Sequence, residues 1–221
     1  MKLHKLPAAG FILFALTLAL TGCKSGDTSP QSPMILAEGR ARLSGGKDVC
    51  VFLEMTEGES HQAAPGESPY PSYFQGTFQF RVSESGSPFD TLYTGAAVFD
   101  GGPELTIPQP FTLEFQDYNG DGNPDFTLGQ RRVGSANMLY QLYSLDANGS
   151  IYNLSFSDGH KAFMALADTT KAESFSIQLE TRDSELIIPY YDTGLAKIKE
   201  LSYQWENDAF QNTPAPSHEA G

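Results

Sequence analysis

Residues 73–82 read YFQGTFQFRV, and this stretch decides the predicted fold. Phe78, Phe80 and Val82 alternate there with polar side chains. Successive side chains of a β-strand point to opposite faces of its sheet, so the alternation predicts one buried face and one solvated face. An antiparallel strand lying on a core has this pattern.

Similar short runs recur along the chain, separated by Gly, Pro, Asn and Asp. They lie at residues 49–55, 92–99, 111–115, 138–144, 151–156, 174–179 and 198–205. Asn148-Gly149 predicts a tight hairpin turn between two of the runs, because Asn and Gly tolerate positive φ. The spacing predicts an all-β, mostly antiparallel single domain, either a sandwich or a degenerate propeller-like fold.

Two stretches depart from the strand pattern. Residues 161–167 (KAFMALA) favour a helix of about two turns, because Ala, Leu, Met and Lys are good helix formers. Residues 56–72 contain three prolines and several Glu and Ser residues, which predicts a long exposed loop.

The N-terminus has the pattern of an export signal. Lys2 and Lys5 precede an apolar run at residues 11–20 that is too short to span a bilayer, so we interpret residues 1–22 as a signal peptide. The run ends in Leu20-Thr21-Gly22-Cys23, which resembles the lipobox of bacterial lipoproteins. That resemblance implies a lipidated Cys23 at the mature N-terminus, anchored on the extracytoplasmic face of a bacterial cell membrane. Ordinary secretion or an uncleaved anchor is the alternative.

The composition of the residues after the signal peptide predicts a tether, a folded domain and a tail. Residues 23–33 are small, polar and proline-bearing, which predicts a lipidated flexible tether. Residues 34–211 form the predicted β domain, and residues 212–221 (NTPAPSHEAG) a disordered tail. If Cys23 carries lipid, Cys50 has no disulfide partner, and its apolar run predicts an inert, buried thiol in a strand.

The charge balance limits the possible partners. The chain has a formal net charge of -13 and a sequence pI of about 4.6. A protein without a basic surface lacks the electrostatic attraction to phosphates on which nucleic-acid binding depends, so we predict no nucleic-acid partner. Cations and basic proteins are the partners that this charge favours.

One stretch carries a candidate metal site. Residues 115–126 read FQDYNGDGNPDF and place oxygen-bearing side chains at alternate positions. The predicted ligands are Asp117, Asn119, Asp121, Asn123, through its carbonyl, and Asp125. Calcium prefers six to eight hard oxygen ligands, which a tightly coiled loop supplies, and Gly122 permits the sharp bend. A metal-free turn rich in Asp, Asn and Gly is the alternative.

The flanks of this loop distinguish it from an EF-hand. Leu128 stands where an EF-hand has its bidentate Glu, and both flanks look like strands. A strand, an acidic loop ending in Asp, and a second strand resemble the calcium loop of FG-GAP and VCBS repeats, in which the position of Asp125 closes the site. The resemblance covers about residues 115–129 and the hairpin at residues 140–152, without a second copy at blade-like spacing.

Catalytic chemistry has weak support in the sequence. Residues 157–160 (SDGH) lack a nucleophile motif nearby, and no P-loop, HExxH or CxxC pattern occurs. We predict no catalytic residue, although a carboxylate pair of the glycosidase kind stays open among the acidic residues. The sequence favours a lipid-anchored, calcium-binding module without enzymatic activity, such as an inhibitor or immunity partner of a cell-wall hydrolase. An envelope carbohydrate-active hydrolase and a purely structural surface lipoprotein are the alternatives.

Overall fold

A computed structural model describes residues 34–64, 70–87, 89–99, 102, 104–131, 135–167 and 172–213. The predicted signal peptide, the tether with Cys23, and residues 214–221 lie outside these ranges. The described residues form three sheets, which confirms the predicted all-β class. Within them the single helical element is a 3-10 turn, Ala172–Phe175, and no helix is long and apolar enough to cross a membrane.

The first sheet contains the stretch that decided the fold. Its strands are β1 (Met34–Arg42), β2 (Asp48–Gln62), β3 (Ser72–Ser83), β4 (Tyr93–Ala96), β5 (Glu104–Ile107) and β6 (Phe111–Thr112). Their order is β4-β3-β2-β1-β6, and β5 also pairs with β3. All pairs are antiparallel except β1 with β6.

The second sheet carries the acidic loop. Its strands are β7 (Phe115–Gln116), β8 (Asp125–Arg131), β9 (Asn137–Leu145), β10 (Ile151–Asn153) and β11 (Ala162–Leu166). The order is β10-β9-β8-β7, with β11 also paired to β9, and every pair is antiparallel. The predicted Asn148-Gly149 turn joins β9 to β10, and Gly149 has φ 86°.

The third sheet is a meander of antiparallel strands at the C-terminal end of the described chain. Its strands are β12 (Glu180–Arg182), β13 (Glu185–Asp192), β14 (Lys197–Glu206) and β15 (Ala209–Thr213), in that order. The last strand extends two residues beyond the predicted domain end at residue 211.

Aromatic contacts join the first and second sheets into a sandwich. The Phe80 ring of β3 packs edge-on against Phe126 of β8 and Tyr143 of β9, at centroid distances of 5.3 and 4.9 Å. Phe156 packs against Tyr203 and Phe210 and so connects the third sheet to this core. The apolar side chains of all three sheets form one contiguous cluster, which is the core of one domain.

Three local predictions were wrong. Residues 162–166 form β11, because pairing with β9 buries Phe163 and Ala165 and outweighs helix propensity. Residues 56–62 and Ser72 belong to β2 and β3, which form a long hairpin with Gln62 paired to Ser72. Residues 174–179 are not a strand, since the first two lie in the 3-10 turn and residues 176–179 follow it outside any sheet.

Candidate metal centre

The acidic loop is the connection of an antiparallel hairpin, as predicted. Gln116 of β7 pairs with Asp125 of β8, and residues 117–124 lie between them. The buried ring of Tyr118 anchors the loop, because its hydroxyl accepts a 3.0 Å hydrogen bond from the amide of Leu179. Burial raises the pKa of Tyr118 to about 12, so the phenol is neutral. A neutral, hydrogen-bonded side chain therefore holds the loop against the core.

Asp117 organises the first half of the loop. Its carboxylate accepts hydrogen bonds from the amides of Gly120 at 2.7 Å and Gly122 at 2.9 Å. Both glycines have left-handed backbones, with φ of 76° and 83°. Such conformations are costly for residues with a Cβ, which explains why glycine stands at both positions. Asp117 and the two glycines together wind the chain into a tight coil.

Asn119, Asp121 and Asn123 continue the coil. Asn119 Nδ2 donates to Asp121 Oδ2 at 3.1 Å, and the amide of Asn123 donates to Asp121 Oδ1 at 2.7 Å. The side-chain oxygen of Asn123 accepts a 3.4 Å bond from the amide of Ser44, in the turn between β1 and β2. The conformation of the loop is thereby coupled to a turn of the first sheet.

Asp125 is the buried member of the set, with 0% of its surface exposed. Its Oδ2 accepts hydrogen bonds from the amides of Tyr118 at 2.8 Å and Asn119 at 3.3 Å. Its Oδ1 is buried and makes no hydrogen bond of standard geometry. Desolvation raises the pKa of Asp125 to about 7, although the hydroxyl of Ser144 and the two amides oppose the rise. A buried carboxylate with an oxygen that lacks a hydrogen bond is unfavourable unless a proton or a cation compensates its charge.

Four of the five predicted ligand residues therefore lie in the hairpin loop, and the fifth, Asp125, is the first residue of β8. The carboxylates of Asp117, Asp121 and Asp125 cap loop amides, and among the described residues no three His, Cys, Asp or Glu side chains form a group that could hold a metal. Each carboxylate oxygen retains a second lone pair, so capping does not prevent ligation. The vacant Oδ1 of Asp125 is the atom whose environment fits a hard cation best.

Two residues beside the loop, Ser144 and Tyr152, carry no signal in the sequence. Ser144 on β9 pairs with Asp125 on one side and with Tyr152 of β10 on the other, so the three residues form a row across the sheet. Desolvation raises the pKa of Tyr152, and the charges of the nearby Asp121 and Asp125 add to the rise. Sheet register brings these side chains together, and no spacing in the sequence indicates it.

The remaining candidates for chemistry are surface groups. His160 Nδ1 lies 2.9 Å from Asp158 Oδ2, and both side chains are exposed in a turn. Cys50 lies on β2 as predicted, but its side chain is half-exposed instead of buried, and it has no disulfide partner in the described part of the chain.

No family model, curated protein or solved structure matches this chain. A functional assignment therefore depends on the residues themselves.

Proposed function

We propose that this protein is a lipid-anchored bacterial envelope protein whose β domain is a calcium-stabilised, non-catalytic binding module. The lipid would be carried by Cys23. Calcium would be held by Asp117, Asn119, Asp121, Asn123, through its carbonyl, and Asp125. The observation that carries the calcium assignment is the buried carboxylate of Asp125, whose Oδ1 makes no hydrogen bond of standard geometry. A divalent cation would supply the missing positive charge at that atom.

The chain's own contacts indicate what such an ion would order. Asp117 already holds the glycine amides, and Asn123 already contacts the turn at Ser44. Carboxylates crowded into nine residues repel one another, so the coil is strained electrostatically while no cation is bound. Neutralising that repulsion would rigidify the loop and the Ser44 turn together. A fixed surface at this end of the sandwich suits recognition of a partner.

For the partner we propose a basic protein of the cell wall, with a cell-wall hydrolase as the specific candidate. The net charge of -13 supports this choice, since opposite charges accelerate association and suppress wrong partners. The protein would then act as an inhibitor or immunity partner. Adding the purified chain to a peptidoglycan digestion by a basic lysozyme should slow the digestion, and an unchanged rate at every salt concentration would contradict this partner class.

The calcium site is tested by thermal unfolding and calorimetry of the purified protein. Calcium at about 100 times its Kd should stabilise the fold by about 2.7 kcal/mol. The Asp117→Ala/Asp121→Ala protein should lose both the binding heat and the stabilisation. Asp146→Ala is the matched control, because Asp146 caps the amides of Asn148 and Ser150 in the neighbouring turn without belonging to the proposed site. An equal calcium response in all three proteins would overturn the assignment.

A further inference from the structure

The turn between β13 and β14 exposes apolar side chains on an otherwise acidic protein. Residues 193–198 are all exposed, so this turn lies at the surface of the domain. Leu195 and Ile198 keep 57% and 59% of their surface exposed. We call residues 193–198 the hairpin tip. Two branched aliphatic side chains at the end of a hairpin are costly in water, so a contact that covers them is favourable.

The hairpin tip has a fixed shape. Asp192 Oδ1 accepts hydrogen bonds from the amides of Gly194 at 3.0 Å and Leu195 at 3.1 Å. Ala196 adopts a left-handed backbone with φ of 50°. The eight residue pairs between β13 and β14 run without a break from Glu185 to Asp192. The exposed side chains are therefore presented by an ordered turn, which lowers the entropic cost of binding.

The charge of the hairpin is positive at its end. Asp192 Oδ2 lies 2.8 Å from the Lys199 ammonium, and the hydrogen bond from Lys199 holds the pKa of Asp192 below its ordinary value. Asp192, the acid next to this turn, is thus paired, while the exposed Lys197 makes no salt bridge with another described residue. A local positive charge beside two aliphatic side chains contrasts with the net charge of -13 for the chain.

Two tyrosines lie at the base of the same hairpin. Tyr190 pairs with Lys199, and Tyr191 pairs with Ile198, and both rings are half-buried. The hairpin therefore carries Leu195 in its turn, Lys197 in the first residue pair, Ile198 beside Tyr191 in the second pair and Lys199 beside Tyr190 in the third. An interface of anionic lipids offers matching environments, since apolar groups enter the acyl boundary, Lys contacts the headgroups and Tyr is favoured at the headgroup level.

We propose that the hairpin tip is a second membrane contact, which docks on a surface of anionic lipids through Leu195, Ile198 and Lys197. Its biological setting rests on the proposed envelope location. A second copy of the chain fits the tip less well, because a symmetric contact would bring Lys197 against its own copy. The tip would orient the domain on the membrane, with its acidic surface turned away.

The test uses residues 23–221 with Cys23→Ser, so that a lipid cannot cause the binding. The core of the domain lies wholly within residues 34–213. Co-sedimentation is measured with vesicles of phosphatidylcholine alone and of phosphatidylcholine mixed with phosphatidylglycerol. The protein should bind the mixed vesicles, and salt should weaken that binding. Lys197→Ala should reduce the partition about fivefold. Leu195→Ser/Ile198→Ser should reduce it about tenfold or more.

Phe89→Ser is the matched control, because Phe89 is 71% exposed on a different loop and should not affect vesicle binding. Absence of binding to the mixed vesicles would overturn the proposal. Binding that is equal in the wild type and the Leu195→Ser/Ile198→Ser protein would also overturn it. Sedimentation equilibrium that shows self-association, removed by the same double substitution and without vesicle binding, would assign the tip to a second copy. None of these outcomes depends on Cys23 lipidation or on calcium, so they leave the proposed function to its own tests.

Discussion

Asp125→Asn tests the electrostatics of the acidic loop most directly. Desolvation raises the pKa of the buried Asp125 carboxyl from 3.8 to about 7. Between pH 3.8 and about pH 7, Asp125 in the folded protein keeps a proton that Asp125 in the unfolded chain releases. The free energy of unfolding therefore decreases as the pH rises through this window, when calcium is absent. The stabilising contribution of the protonated carboxyl is complete below about pH 4 and is lost above about pH 7.

The structure sets the size of this effect. A pKa rise of about three units corresponds to about 4 kcal/mol, and for a domain of this size that amounts to about 10 °C in Tm. An asparagine carries no charge, so this contribution to the pH dependence should disappear. Its Oδ1 can still accept the amide bonds of Tyr118 and Asn119, and its Nδ2 can donate to the nearby Ser144 hydroxyl. The substitution therefore removes the charge without leaving a cavity.

Thermal unfolding followed by circular dichroism, from pH 4 to pH 8 with a chelator, measures the difference. The wild-type Tm should fall by about 10 °C more than that of Asp125→Asn across this range. The control Asp146→Asn should show the same decrease of Tm with pH as the wild type. Asp146 lies outside the acidic loop and caps the amides of Asn148 and Ser150 in the neighbouring turn. Calcium at pH 8 should restore the wild-type Tm but not raise that of Asp125→Asn. Parallel pH profiles for wild type and Asp125→Asn would refute the reasoning.

Two further predictions concern Tyr118, which holds the acidic loop, and Cys23, the proposed site of lipidation. Tyr118→Phe removes the acceptor for the buried Leu179 amide and should lower the free energy of unfolding, measured by chemical denaturation, by about 1–3 kcal/mol. A decrease below about 0.5 kcal/mol would show that water replaces the hydroxyl. Cys23→Ser should move the protein from the membrane fraction to the soluble envelope fraction of cells fractionated at high salt, which weakens the contact proposed for the hairpin tip. Retention of Cys23→Ser in the membrane fraction would contradict lipidation as the anchor.

The sequence predicted the class of fold because its signal is local. Alternation in residues 73–82 reflects a strand with one face on a core, and β3 has this structure. The acidic stretch was placed correctly between two strands, because its flanks carry the same pattern. Local propensity failed at residues 162–166, where pairing with β9 overrides a preference for helix.

The sequence by itself determined the all-β class of the fold, the coil of the acidic loop and its set of oxygen-bearing residues, since all of these depend on neighbours in the chain. Tertiary structure decided which of the carboxylates of the acidic stretch is buried and has a raised pKa. Asp125 loses its water because β8 is covered on both sides, and Ser144 and Tyr152 join it through sheet register. Burial and register arise from contacts between residues distant in sequence, and these contacts turn one of several acids into a group with a pKa of about 7.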